Sequence, residues 1–269
     1  MGDMTTEPTE GIITGIVDGT RRVRINGHRG QSFTAPENTL PAMLYAARLG
    51  ADGVEFDVHL TADGHIVALH DQTLRRTTDV ERVFPGRAEE PVWNFTAAEI
   101  ARLDAGAWKG PLWAGTPLPF IADILKAFRE RPQALCIELK ATQVDPVHLA
   151  AALAATVGRR PNVTFLSFQR PLIDAVRRAI PGARTALAAV RRPSTADLDS
   201  YDEFHLDGTL LTRRVIDEIH LRGKTVTAWT VDSAGVARRL AGLGVDAITT
   251  NRVDVIRHEL QVARWDSAR

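Results

Sequence analysis

The chain has 269 residues, a length that suits one large barrel or two small domains. Its 33 Lys and Arg balance 33 Asp and Glu, so it carries no electrostatic footprint for nucleic acid or an anionic membrane surface. Hydrophobic residues at 44% and charged residues at 25% match folded, soluble proteins, and no apolar run approaches the length of a bilayer span.

Residues 1–21 read as an N-terminal extension, acidic and polar, without the basic start and apolar stretch of a secretory signal. A cytoplasmic protein is expected. From 22 onward, short runs rich in β-branched residues alternate with longer Ala/Leu/Arg runs. Strands are expected at 22–28, 53–58, 134–139, 163–168, 184–190, 203–207, 225–230 and 246–251. Helices are expected at 39–50, 145–158, 170–180, 212–223, 233–244 and 252–264. Four end at a glycine: Gly50, Gly158, Gly223 and Gly244. Eight strands with helical crossovers predict an α/β fold, a (β/α)8 TIM barrel over 22–269 as a single catalytic domain. A doubly wound open sheet is the alternative, because periodicity alone cannot close a barrel.

One stretch breaks the rhythm. Between His70 and Pro119 the chain is rich in Gly and Pro and holds Trp93, Trp108 and Trp113. A structureless loop of this length is unusual. A small insertion is therefore expected at about 72–116, after the second strand and its hairpin, with a short helix over 96–106. The one cysteine, Cys136, lies in the apolar run ALCIELK and reads as a buried, inert thiol.

The predicted strand ends are polar. They carry His28 and Arg29, Glu55 and Asp57, Glu138 and Lys140, Ser167 and Gln169, His205 and Asp207, and Thr250 and Asn251, with Trp229 near the end of the seventh strand. In a barrel of this kind the chemistry sits at those ends. Glu55 and Asp57, two apart, face the same side, as do Glu138 and Lys140. Inward carboxylates need compensation. A divalent cation supplies it, since hard cations prefer oxygen ligands; a salt-bridge network with Arg29 and Lys140 is the other solution. Asp63-Gly64 is a tight-turn signal that folds a hairpin and returns His70 to the neighbourhood of Asp57. His59 and His65, on the same hairpin, are expected to be solvated loop residues. His28 is then a candidate acid–base group. Arg29 is a candidate anion clamp, since its planar fork matches phosphate oxygens. Three carboxylates against a divalent cation and two basic residues leave one positive charge, which a phosphodiester monoanion neutralises.

These fragments together, HRG...PENT, GADGVEFDVHLTADGHIVALHD, LRRTT, CIELK, LSF, AWTVD and GVDAITTNR, resemble the glycerophosphodiester phosphodiesterases, in that family's order, over roughly residues 25 to 256. The resemblance implies a (β/α)8 barrel that hydrolyses small-molecule glycerophosphodiesters to an alcohol and glycerol 3-phosphate with a divalent cation, Mg²⁺ or Ca²⁺, Mn²⁺ being a third candidate. It implies Glu55, Asp57 and Glu138 as metal ligands, His28 and His70 as the catalytic pair, and Arg29 and Lys140 as phosphate-binding residues. Phe168 and Trp229 match positions that line the substrate pocket. One histidine would deprotonate the nucleophile, either water or the substrate's own glycerol hydroxyl, and the other would protonate the leaving alkoxide; His28 is favoured as base and His70 as acid. TPLPFIADIL departs from the family's usual Pro-Thr-Leu entry, and Val253 stands where proline is common. A phospholipase D-like enzyme acting on lysophospholipids and a non-catalytic phosphate-binding barrel are the alternatives. A Schiff-base role for Lys140 is disfavoured by its proximity to Glu138. The alcohol headgroup and oligomeric state are not legible.

Overall fold

The structure, a computed structural model, describes residues 22–140 and 143–267, with backbone only beyond 261; the expected extension over 1–21 lies outside these. In chain order the elements are β1 (Arg24–His28), α1 (Leu40–Arg48), β2 (Gly53–Leu60), β3 (Ile66–Ala68), α2 (Val80–Val83), α3 (Ala97–Ile100), α4 (Ile121–Ala127), β4 (Ala134–Leu139) and α5 (Pro146–Thr156). Then come β5 (Val163–Ser167), α6 (Arg170–Ala179), β6 (Arg184–Ala189), α7 (Thr195–Ser200), β7 (Glu203–Asp207), α8 (Arg213–His220), β8 (Thr225–Trp229), α9 (Ala234–Leu243), β9 (Ala247–Thr250) and α10 (Val253–Ser267).

Eight parallel strands close on themselves. β1 pairs with β2 on one side, Asn26 opposite Gly53, and with β9 on the other, Arg24 opposite Ala247. β4 to β9 follow in sequence order between them. This double pairing of β1 makes a barrel and excludes the open sheet. β3 hangs antiparallel on β2 outside the barrel.

The two faces of each strand explain the layering. On β2, Val54, Phe56 and Val58 are buried in one apolar cluster with Met43 of α1, Ile124 of α4 and Leu149 of α5, so this face packs under the helices. Glu55, Asp57 and His59 alternate with them and take the other face. Inside the barrel the apolar part is small: Cys136, Leu166, Ala186 and Ala188. Burial pushes the Cys136 thiol well above its ordinary range, as expected of an inert core cysteine.

Two helices of the barrel, α4 and α7, have no counterpart in the sequence-based reading. They are only seven and six residues long. α7 nonetheless carries a start signal, the capping box of Ser194 and Asp197. The four glycines read as helix stops all adopt left-handed φ.

The stretch between β3 and α4 buries a second apolar cluster, including Leu69, Leu74, Val80, Val92, Phe95 and Ile100. The helix expected over 96–106 is present only as α3, with Thr96 and Glu99 forming a capping box at its start. Lys109 Nζ reaches the Ser32 carbonyl at 2.8 Å and so ties this segment to the loop after β1. No helix among the described residues is long and apolar enough to cross a membrane.

Candidate active site

The C-terminal ends of the strands open into a cavity of about 180 Å³, lined by His28, Arg29, Glu55, His70, Glu138, Lys140, Phe168 and Trp229 among others. Asp57 is fully buried beside it. The structure thus brings together all nine residues expected at the site.

β1 ends at His28, and the chain turns sharply there. Arg29 takes a left-handed φ of 54°, uncommon for a residue with a side chain. Gly30 follows because a Cβ there would lie 2.4 Å from the Ala42 carbonyl carbon. The turn points the Arg29 backbone N–H at Glu55 Oε2, 3.1 Å away. It also points the guanidinium at Asp57 Oδ2 at 3.1 Å and Glu37 Oε1 at 2.8 Å. Asn38, also at positive φ, braces Asp57 from behind: its Nδ2 donates to Asp57 Oδ2 at 2.8 Å, and its Oδ1 accepts from the Asp57 N–H at 3.1 Å.

The parallel register sets Asp57 of β2 beside Glu138 of β4. Oxygens of Glu55, Asp57 and Glu138 lie within 4.8 Å of one another. Lys140 Nζ sits 3.2 Å from Asp57 Oδ1 and 2.6 Å from Glu138 Oε1. The cations therefore favour Asp57. Burial works against its charge, but Arg29 and Lys140 outweigh that and hold its carboxyl at about 2. Glu55 has the opposite fate: burial first and the Asp57 charge second push it up to about 8. Burial and Asp57 likewise raise Glu138, to about 7. Glu55 Oε1 is buried without a hydrogen-bond partner among the described residues. The salt-bridge network is present and favours the charged form of Asp57, yet it leaves Glu55 crowded and its Oε1 unpartnered, where a bound divalent cation would favour the ionised form. The all-oxygen donor set fits a hard cation. Lys140 is held protonated by Asp57 and Glu138 against its burial, which disfavours a Schiff-base role.

The two histidines have different partners. His28 Nδ1 lies 2.7 Å from Asn251 Oδ1. Asn251 has no freedom to flip, because its Nδ2 donates to Asp232 Oδ2 at 2.7 Å and its backbone N–H to Asp232 Oδ1 at 2.8 Å. With the amide oxygen facing His28, Nδ1 carries the proton and the Nε2 lone pair faces the site, 4.0 Å from Glu55 Oε2. His70 Nδ1 lies 2.7 Å from Asp71 Oδ1. Both histidines are lowered from their ordinary value, by burial first; for His28 the Arg29 charge adds to it, whereas for His70 the Asp57 charge opposes it.

The hairpin register is close to that expected. His59 pairs with Val67 and Val58 with Ala68, and the Leu69 N–H donates to the Asp57 carbonyl at 3.0 Å, so His70 comes one residue beyond Asp57's partner. One expectation fails. His65 is exposed, but His59 is fully buried on β2 and not a solvated loop residue. Its Nε2 lies 3.2 Å from the His70 carbonyl oxygen, and burial lowers it to about 4, so it is a neutral imidazole. Period two from Glu55 and Asp57 already assigned it to their face.

Phe168 and Trp229 meet edge to face, ring centroids 5.3 Å apart, and form one wall. The floor is buried: Leu166, Ala188, Thr249 and His205, whose Nε2 lies 3.1 Å from Glu203 Oε1. Asn251, Asp232, Asn38, Asp71 and His205 are site residues for which the sequence-based reading gave no role.

The chain is similar to known proteins over most of its length. Residues 28–255 match the model of the family described as "Glycerophosphoryl diester phosphodiesterase family". A Bacillus subtilis relative is 33% identical over 243 residues, covering 86% of this chain and 96% of the relative. A glycerophosphodiester phosphodiesterase of Caldanaerobacter subterraneus is 30% identical, covering 83% and 92%. Among solved structures, an Oleispira antarctica phosphodiesterase in complex with the product sn-glycerol-3-phosphate aligns with a TM-score of 0.80 at 25% identity, covering 88% of this chain and 96% of the other.

Proposed function

We propose a mechanism from one premise: the chain belongs to the glycerophosphoryl diester phosphodiesterase family. It is a phosphodiesterase of small-molecule glycerophosphodiesters, releasing an alcohol and glycerol 3-phosphate. The observation that carries the reading is the meeting, in one cavity, of three crowded carboxylates, two cations and two histidines with fixed Nδ1 partners.

Glu55, Asp57 and Glu138 would hold a divalent cation, Mg²⁺, Ca²⁺ or Mn²⁺. Such an ion supplies Lewis-acid stabilisation of charge developing on a phosphate oxygen. Arg29 and Lys140 bind the phosphate electrostatically. His28 acts as the base. Its Nε2 lone pair faces the site, and an amide oxygen at Nδ1 gives the neutral ring its orientation without a full charge to favour imidazolium. His70 acts as the acid. The Asp71 carboxylate at its Nδ1 stabilises the imidazolium that must carry the proton to the leaving oxygen. Phe168 and Trp229 form one wall beside the reacting group. A single buried cysteine accords with a cytoplasmic setting.

The test is a panel of glycerophosphodiesters assayed with and without chelator, with products identified. Metal-dependent release of glycerol 3-phosphate is expected. Phosphorylated alcohol plus free glycerol, or no turnover across the panel, would overturn the reading.

A further inference from the structure

Two conspicuous pieces of sequence, Arg76 of the Leu74-Arg75-Arg76-Thr77-Thr78 motif and Glu37 of Pro36-Glu37-Asn38-Thr39, take no part in this chemistry, and neither lines the cavity. They nevertheless meet. Arg76 Nη1 donates to Glu37 Oε2 at 2.9 Å and Nη2 to Glu37 Oε1 at 2.7 Å. The same guanidinium turns its other edge to Asp71, Nε to Oδ2 at 2.6 Å and Nη2 to Oδ1 at 3.0 Å. All three nitrogens are used, in two forks, a geometry that only a planar guanidinium supplies.

The oxygens at each end are shared. Glu37 Oε1 also accepts from Arg29 Nη1 at 2.8 Å, and Asp71 Oδ1 is the atom that meets His70 Nδ1 at 2.7 Å. One continuous chain of contacts therefore runs His70, Asp71, Arg76, Glu37, Arg29. Its ends belong to different parts of the fold, Arg29 to the loop after β1 and His70 to the arm beyond β3. We propose that Arg76 is a positioning residue: with Glu37 it straps those two loops together and sets the distance between the phosphate clamp and the proton donor.

The adjacent residue provides an internal control. Arg75 turns the other way and pairs with Glu81 at 2.8 Å and with Glu89, both exposed. Exposed pairs of that kind contribute little. Arg76 also keeps Asp71 ionised. Its hydrogen bonds are the main reason that the Asp71 carboxyl lies well below the usual range, so His70 faces a full carboxylate. The inference rests on the roles proposed for Arg29 and His70.

The experiment compares Arg76→Ala, Arg76→Lys and Arg75→Ala in kcat and KM on a glycerophosphodiester. Arg76→Ala is expected to lower kcat by roughly 10- to 100-fold, the scale of a misplaced catalytic group. Arg75→Ala should stay within twofold. Arg76→Lys should fold normally and recover little, since an ammonium cannot make both forks, while added guanidinium ion should partly restore Arg76→Ala. In a His70→Ala background Arg76→Ala should add much less than it costs alone. Equal effects at Arg75 and Arg76, full rescue by lysine, or an undiminished loss in the His70→Ala background would each overturn the strap. Histidine-labelled NMR gives a readout independent of turnover: the His70 ring signals should move in Arg76→Ala, and unchanged signals would sink the proposal even if the reaction proved different. Normal turnover in His70→Ala alone would instead overturn the mechanism above.

Discussion

His28 and His70 face one cavity from two kinds of mount. His28 closes a barrel strand and leans on Asn251 and Asp232, beyond the ends of β9 and β8, in a well-buried corner. His70 stands on an arm outside the closed sheet, half-exposed, and leans on Asp71 in the next position of the chain and, through it, on the exposed Arg76. The partner at Nδ1 is an amide oxygen in one case and a carboxylate in the other. In the proposed mechanism this difference prepares chemically identical side chains for opposite proton transfers. An amide oxygen would orient a base, and a carboxylate would stabilise an acid in its charged form.

The largest effect should ignore this asymmetry altogether. Excess chelator is expected to abolish activity toward both alkyl and nitrophenyl diesters, with Mg²⁺, Ca²⁺ or Mn²⁺ restoring it. Glu55→Gln should weaken metal affinity without lowering Tm, because burial and Asp57 already favour the neutral form of that carboxyl when no ion is bound. Undiminished turnover in metal-free protein would remove the carboxylate cluster from the mechanism.

The next effect separates the mounts. His28→Ala and His70→Ala should each cost roughly 10²–10⁴-fold on an alkyl glycerophosphodiester, the usual worth of a positioned acid or base. With a nitrophenyl leaving group, which departs without a proton, His70→Ala should lose far less while His28→Ala stays impaired. The reverse pattern in single-turnover kinetics would exchange the two roles.

Smaller, and aimed at the partners themselves, are the swaps Asn251→Asp and Asp71→Asn. A carboxylate beside His28 favours imidazolium, so the base stays protonated to higher pH and the acidic limb of the kcat/KM profile should move upward. Asp71→Asn removes charge from beside His70, so the limb set by the acid should move downward and kcat should fall, more on alkyl than on nitrophenyl substrates. Limbs that stay in place in both variants would show that the Nδ1 partners do not distinguish the histidines.

The smallest effect lies away from both. Arg170 grips Asp197 at the start of α7 with bonds of 2.6 and 2.7 Å, and these bonds hold the carboxyl well below its ordinary value. A depressed folded-state value means stability that is present above the unfolded value, about 4, and lost as pH falls through the folded one. Arg170→Ala should cost on the order of 1 kcal/mol at pH 7, discounted for the exposure of Arg170, with kcat unchanged. Tm curves of the two proteins should converge in strong acid; a constant gap would assign the loss to packing.

The sequence revealed these regions unequally, for physical reasons. Alternation along β2 and β4 is local, so Glu55 with Asp57 and Glu138 with Lys140 could be read as same-face pairs without any tertiary knowledge. The turn at Asp63-Gly64 likewise returned His70 to the carboxylates. Asn251 was legible only as a polar strand end, because its service to His28 depends on barrel closure. α4 and α7 escaped because so few residues barely establish a period. His59 was misjudged by its nearness to a turn, although its spacing from Asp57 already put it on the buried face.

The contact between His28 and Asn251 spans 223 residues, whereas His70 and Asp71 are neighbours. Joining such distant residues carries a loop-closure entropy cost that only the finished barrel offsets. The His70–Asp71 contact can form as soon as its hairpin does; His28 meets Asn251 only when β1 meets β9. On the proposed roles a nascent or partly unfolded chain lacks its oriented proton acceptor, so the onset of turnover during refolding should report the moment of barrel closure.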